Sequence, residues 1–129
     1  MNIGETVIAY SKMGKYIGEI TEVHPNHYVV RILAVLKHPM QGDLHHPRQV
    51  NVPLFHERKA KAYREQTNIP LNMVRPYEGD IPDYQTSLKK AFDTLLEQFQ
   101  TEKTPFHEKC IEAMKSIQRE YELMYNMRW

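Results

Sequence analysis

The spacing of apolar residues along the chain changes character near residue 80. Before that point, short segments alternate between apolar and polar residues or are continuously β-branched, which is typical of strands. After it, apolar residues recur every three or four positions, which is typical of amphipathic helices. The change predicts a mostly β N-terminal domain over residues 1–79 and a helical extension over residues 80–129.

Three strands are predicted in succession near the N-terminus: "ETVIAY", "YIGEITEV" and "YVVRILAVL". A turn around Gly14 separates the first two, and a turn at Pro25 separates the second from the third. The third segment is almost continuously apolar, as expected for a central, well-buried strand. The pattern therefore predicts an antiparallel meander.

Two shorter strands are predicted further along, "VNVPLF" and Asn72 to Tyr77. Between them, the polar segment from His56 to Thr67 predicts a helix of a few turns. About five short antiparallel strands are typical of a small SH3-like barrel, which is the fold class predicted for the N-terminal domain.

The C-terminal residues predict two helices joined by a short link. Asp80 or Asp83 is the expected N-cap of the first helix, and Thr104 the expected N-cap of the second, with Pro105 at its first position. The apolar positions with helical spacing are Tyr84, Leu88, Ala91, Phe92, Leu95 and Phe99, then Phe106, Cys110, Met114, Ile117, Tyr121 and Met124. An antiparallel helical hairpin has one seam to bury, so we expect it to pack on the barrel or on another chain.

Bulk composition describes an ordinary globular protein: 129 residues, 41% hydrophobic, 26% charged, with a net charge of +1. This charge gives no strong overall attraction to nucleic acid or anionic membrane. The single cysteine, Cys110, excludes an intramolecular disulfide and fits a reducing compartment. The sequence has no signal peptide, lipobox cysteine or apolar run of membrane-spanning length, so we expect a cytoplasmic protein.

No enzyme signature is present. Cys110 lies on an apolar helical stripe and is interpreted as a buried small hydrophobe. The serines form no nucleophile elbow, and the five glycines form no phosphate-binding loop. We therefore predict a non-enzymatic protein with no catalytic residues, no small-molecule substrate and no cofactor.

Four of the seven histidines lie between Lys37 and Arg58. A metal site is not favoured here. His45 and His46 are adjacent, so on an extended segment their side chains point in opposite directions, and the zinc-binding motif HExxH does not occur. Prolines and Gly42 predict a long, shaped connection, and such loops often carry recognition. We predict a partner-binding surface here, with proton sensing by the paired histidines as a further hypothesis; its residues are His38, Asp43, His45, His46, Arg48, His56 and Arg58.

The end of the chain is a second candidate surface. Tyr125, Met127 and Trp129 have the composition of interface centres, and a terminal segment has fewer partners within its own chain. The sequence favours the histidine-containing segment for partner contact and the aromatic end, Tyr125 and Trp129, for packing or self-association as a homodimer.

Two other classes of function stay open. Lys59, Lys61 and Arg64 form a basic run, so the alternative is a small barrel that binds nucleic acid, with salt-dependent affinity. A metal-dependent enzyme would instead require stoichiometric metal in the purified protein.

A family resemblance is carried by "HPMQGDLHHP", "VPLFHERKA", "REQTNIP" and "RPYEG", which occur here in order. With the segments around them, from about Gly4 to about Tyr125, they resemble the kinase-associated protein B family of spore-forming Gram-positive bacteria. The resemblance implies an SH3-like barrel with a helical extension, and a regulator of a membrane-bound sensor histidine kinase in the sporulation phosphorelay. The family has been given a lipoprotein label, but no lipobox cysteine occurs here, so the kinase is the expected route to any membrane association.

Overall fold

The computed structural model describes residues 1–42 and 57–129. Over these residues it contains five strands and two α-helices. They are β1 Thr6–Ser11, β2 Gly14–Val23, β3 His27–Lys37, β4 Gln66–Pro70, β5 Val74–Pro76, α1 Tyr84–Gln100 and α2 Pro105–Tyr125. A single 3-10 turn, Leu71–Met73, joins β4 to β5. The prediction of an antiparallel five-stranded part followed by two helices is confirmed.

The strands form one antiparallel sheet in the order β4-β3-β2-β1-β5. Within residues 1–42 and 57–129 no ladder joins β4 to β5, so the hydrogen bonds leave this sheet open instead of closing it into a barrel. The register between β2 and β3 shifts at three places, which bends the long central pair. At Gly18 a Cβ atom would lie 2.4 Å from Val30 Cγ1 and 2.7 Å from the Arg31 carbonyl oxygen. Glycine therefore allows β3 to approach β2 closely here.

The predicted helix from His56 to Thr67 is wrong over its described residues. Residues 57–62 have no regular secondary structure, a turn follows at Tyr63 and Arg64, and β4 begins at Gln66. Arg64 has a positive φ of 67°, and its N–H donates to the Ile32 carbonyl at 2.7 Å. This hydrogen bond joins the segment to β3, and the positive φ is incompatible with a right-handed helix. The predicted strand "VNVPLF" lies outside the described residues.

Both helix starts are as predicted. Asp83 Oδ2 accepts a hydrogen bond from the Thr86 N–H at 3.0 Å, and Thr104 Oγ1 accepts from the His107 N–H at 3.1 Å. Pro105 is the first residue of α2. These side chains satisfy backbone N–H groups that have no partner within the helix.

The sheet and the helices bury one shared core. Its members include Val7, Tyr16, Ile20, Val30 and Ile32 from the sheet and Leu88, Phe92, Leu95, Cys110, Met114 and Ile117 from the helices. α1 lies against β3, where the Val35 N–H donates to Ser87 Oγ at 3.0 Å. The hairpin therefore buries its seam on the sheet, one of the two outcomes expected. None of the helices in the described part of the chain has the length and apolar character to cross a membrane.

Candidate functional site

The segment Arg58–Ala62, called here the strap, crosses from the sheet to the helices. At its start, the Arg58 N–H donates to Gln41 Oε1 at 2.8 Å, and Gln41 Nε2 donates to the Arg58 carbonyl at 2.9 Å. Gln41 is 3% exposed, so both bonds are made in a largely dry environment. The amide side chain thus replaces the backbone partner that a neighbouring strand would provide.

Three tyrosine hydroxyls hold the middle of the strap. The Ala60 N–H donates to the Tyr121 hydroxyl at 2.6 Å, and the Lys61 N–H donates to the Tyr16 hydroxyl at 3.2 Å. The Tyr84 hydroxyl donates to the Lys61 carbonyl at 2.5 Å. Burial raises the pKa of Tyr16 to about 12 and also raises the pKa values of Tyr84 and Tyr121. All three hydroxyls are therefore neutral at physiological pH.

His38 lies behind the strap and is fully buried. Its Nδ1 is 3.0 Å from the Pro39 carbonyl oxygen, which can only accept, so Nδ1 carries the hydrogen. Nε2 then accepts from the Tyr121 hydroxyl at 2.8 Å, while that hydroxyl accepts from Ala60. Burial lowers the pKa of His38 to about 4. The inclusion of His38 in a contact surface is corrected: its ring positions Tyr121 from within the core.

A cavity of about 610 Å³ opens along the strap. Basic side chains contribute much of its rim, and its apolar lining includes Tyr16 and Met124. Two of the cations have carboxylate neighbours: Lys59 Nζ lies 3.5 Å from Glu120 and Lys61 Nζ lies 3.6 Å from Glu65. Such part-exposed pairs contribute little to stability. The arrangement offers a concave surface with ammonium groups beside apolar contact area.

The structure describes only some of the predicted contact residues. Arg58 lies in the strap, and its guanidinium donates to the carbonyls of Met40 and Gly42. Five other predicted residues lie outside the described residues: Asp43, His45, His46, Arg48 and His56.

The aromatic end of the chain packs onto the core. Trp129 Nε1 donates to Asp93 Oδ1 at 2.8 Å, and the indole stacks on Tyr121 with ring centroids 6.2 Å apart. Tyr125 is half-buried beside Tyr84, with ring centroids 5.4 Å apart. These contacts are packing within the chain, which is one of the two roles predicted for this end.

The sequence reasoning missed the residues that hold the strap. Tyr84 and Tyr121 lie on the predicted apolar stripes, but the spacing predicts no hydrogen-bond partner for their hydroxyls. A tyrosine at a position predicted to be buried signals that its hydroxyl needs a partner. Gln41, in a segment predicted to be a loop, carried no comparable signal.

No group of three or more histidine, cysteine, aspartate or glutamate residues is placed to hold a metal ion within the ranges that the structure describes. Cys110 is fully buried, as its position on the apolar stripe predicted.

Comparison with known proteins places the chain in a family. The model of the family described as "Kinase associated protein B" matches residues 11–122. The chain is 48% identical to "Kinase-associated lipoprotein B" of Bacillus subtilis (strain 168), over 92% of each protein. A crystal structure of kinase-associated protein B from Bacillus cereus superposes with a TM-score of 0.81 at 44% identity, over 95% of this chain and 98% of that one. Both the sequence match and the shared fold extend over nearly the whole chain, which therefore belongs to the kinase-associated protein B family.

Proposed function

We propose that this protein is a non-enzymatic accessory protein that binds a sensor histidine kinase of the sporulation phosphorelay and regulates it. The observation that carries the proposal is family membership over residues 11–122, together with a relative at 48% identity whose name associates it with a kinase. The cavity along the strap supports a binding role, because it combines concave shape, apolar area and charge.

Regulation by binding requires different affinities for two states of the kinase. A partner that binds both states equally shifts nothing, however tightly it binds. We therefore assign to the protein a preference for one kinase conformation. An affinity ratio of about ten between the two states corresponds to a coupling of about 1.4 kcal/mol.

The proposed contact surface joins the strap to the segment between Lys37 and Arg58. Lys37 is exposed at the end of β3, and Lys59 is exposed on the strap. The predicted residues Asp43, His45, His46, Arg48 and His56 belong to this proposal. A cytoplasmic location, with membrane proximity supplied by the kinase, belongs to it as well.

Capture of the purified cytoplasmic part of the kinase by immobilised protein tests the proposal. We expect the wild-type protein to retain the kinase, and the double variant His45→Ala/His46→Ala to retain less. Tyr125→Ala/Trp129→Ala is the comparison variant for the other surface, with circular dichroism to verify its fold because Trp129 packs on the core. Failure of the wild-type protein to retain the kinase would overturn the proposed function, and full retention by the histidine variant would remove those residues from the surface.

The nucleic-acid alternative finds less support in the geometry. Lys59 and Lys61 each lie near a carboxylate, which partly neutralises the basic run. A phosphate backbone would have to displace these pairs or approach Glu120 and Glu65. A protein partner is therefore the favoured occupant of this face.

A further inference from the structure

Three lysines surround a second cavity, on the side of the β1–β2 hairpin. Lys12 lies in the turn, Lys15 follows it on β2, and Lys37 ends β3. We call these residues the lysine cluster. The cavity measures about 340 Å³ and is also lined by Tyr10, Met13 and Met73.

The hairpin turn has an unfavourable sequence for its geometry. Ser11 pairs with Gly14, so Lys12 and Met13 form a two-residue turn, and both have positive φ, 47° and 67°. Glycine and asparagine are the usual residues at such positions, because in most other L-residues the Cβ atom crowds the following carbonyl oxygen there. Lysine and methionine thus occupy this turn against local conformational preference.

The strand pairing adds a second local cost. Lys15 and Lys37 are register partners across the β2–β3 ladder. Like charges directly opposite one another on neighbouring strands repel. The Lys15 ammonium lies 5.7 Å from the Tyr10 ring centroid, which is a weak interaction for a charge that has no carboxylate partner among the described residues.

No described carboxylate forms an ion pair with any of the three lysines. The neighbouring cavity along the strap shares Lys12, and the lysines that it adds, Lys59 and Lys61, each lie near a carboxylate, so the unpaired positive charge is concentrated at the hairpin. On a chain with a net charge of only +1, this is a local concentration of positive charge. An anionic partner would relieve the repulsion and form charge pairs that the described part of the chain does not provide.

The apolar lining distinguishes among anionic partners. Met13 is 52% exposed and Met73 is 44% exposed, and both border the cavity. Methionine side chains adapt to irregular apolar groups, so the cavity suits an inserted side chain with carboxylates on either side. In a nucleic-acid duplex the bases are paired inside the helix, so the phosphodiester backbone presents no apolar side group between its charges.

We propose that the lysine cluster is a docking site for an acidic segment of the kinase partner, in which carboxylates flank one apolar side chain. This inference rests on the proposed function and adds the chemistry of the bound segment. The carboxylates pair with Lys12, Lys15 and Lys37, and the apolar side chain lies against Met13 and Met73.

Charge reversal tests the site. Lys12→Glu/Lys37→Glu changes two exposed residues of the cluster, and Lys103→Glu/Lys115→Glu makes the same change in net charge at two exposed residues of the helical half. Thermal unfolding establishes that both variants fold. For the cytoplasmic part of the kinase, we expect the cluster variant to lose affinity by about ten-fold or more, and the control variant to stay within about two-fold.

A labelled synthetic peptide, with glutamates flanking a single phenylalanine, provides a readout that does not depend on the kinase. We expect it to bind the wild-type protein and the control variant, and to bind the cluster variant much more weakly. If the wild-type protein binds this peptide but not the kinase, the proposed function fails and the acidic-segment site stands. If it binds the kinase and both variants bind equally well, the proposed function stands and this inference is overturned.

Competition separates the protein partner from other anions. A single-stranded oligonucleotide and vesicles containing phosphatidylglycerol are added to the peptide complex at low salt. Unlabelled peptide is the reference competitor. We expect the oligonucleotide and the vesicles to displace the labelled peptide only at a higher concentration of negative charges than the unlabelled peptide requires. Displacement at lower concentration by either competitor would overturn the inference in favour of a phosphate-bearing ligand.

Discussion

Acidification should destabilise this fold through His38. The folded protein lowers the pKa of this histidine to about 4, because burial disfavours the charged ring. An unfolded chain gives histidine a pKa of about 6.5. Between these two values the unfolded state binds more protons, so the free energy of unfolding falls as the pH falls through this window. Above about pH 6.5 both states are neutral at this site and the effect vanishes.

Burial is the cause of the lowered pKa, and a protonated ring would also have to rearrange the hydrogen bonds around it. The Tyr121 hydroxyl already accepts from Ala60 and donates to His38 Nε2. A second ring proton, on Nε2, would face a hydroxyl whose own hydrogen must then turn away from its partner. The two pKa values correspond to a loss of about 2 kcal/mol by pH 5 and a limiting loss of about 3 kcal/mol below pH 4.

Urea unfolding at a series of pH values measures this loss. His38→Gln removes the titrating group, while its amide keeps one donor and one acceptor. We expect the difference in free energy of unfolding between the wild-type protein and this variant to shrink by about 2 kcal/mol from pH 7.5 to pH 5. His24→Gln, at a half-buried histidine in the β2–β3 turn, is the control, because it also removes one histidine but leaves the buried hydrogen bonds around His38 in place. A pH-independent difference between wild type and His38→Gln would refute this account of the buried ring.

Other substitutions test the packing around the site. Tyr121→Phe leaves a buried N–H and a buried ring nitrogen without their partner, so chemical denaturation should register a loss of about 2–3 kcal/mol, and a loss below that of an exposed Tyr→Phe control would contradict the network. Gly18→Ala should cost about 2–3 kcal/mol in the same assay, because its Cβ would collide with Val30 and with backbone; near-neutral behaviour would mean that the strands separate easily. Asp93→Ala removes the acceptor of the Trp129 indole, so thermal stability should fall by about 1 kcal/mol and the emission of this single tryptophan should shift to the red; unchanged emission would count against the contact.

Local sequence signals were sufficient for the helices. Asp83, Thr104 and Pro105 mark their starts, and the three-four spacing identified the buried face at every predicted position except Met124, which is 54% exposed. The first three strands were also predicted, because alternation and β-branching are properties of short windows. These elements are specified by residues that are close together in the chain.

The strap and β4 could not be predicted from local signals. Residues 57–67 are charged and contain two alanines, which favours a helix in isolation. Their backbone partners are instead Tyr16, Tyr121 and Ile32, which are distant in sequence. His38 shows the same limitation, since its partner hydroxyl lies 83 residues away. Its position before Pro39, in a segment with Gly42 and Pro47, suggested an exposed loop, whereas a tertiary contact determines its environment.

The hydrogen bonds of the strap determine when this segment can dock during folding. Its side-chain hydrogen-bond partners come from four parts of the fold: Tyr16 on β2, Gln41 after β3, Tyr84 on α1 and Tyr121 on α2. No nascent hairpin or isolated helix presents more than a fraction of these groups, so the strap docks only after the sheet and both helices have met. We expect it to be among the last segments to gain protection from amide hydrogen exchange during refolding, and among the first to open in the native state. Its protection would thus report, at single-residue level, whether the two halves of the molecule are correctly assembled.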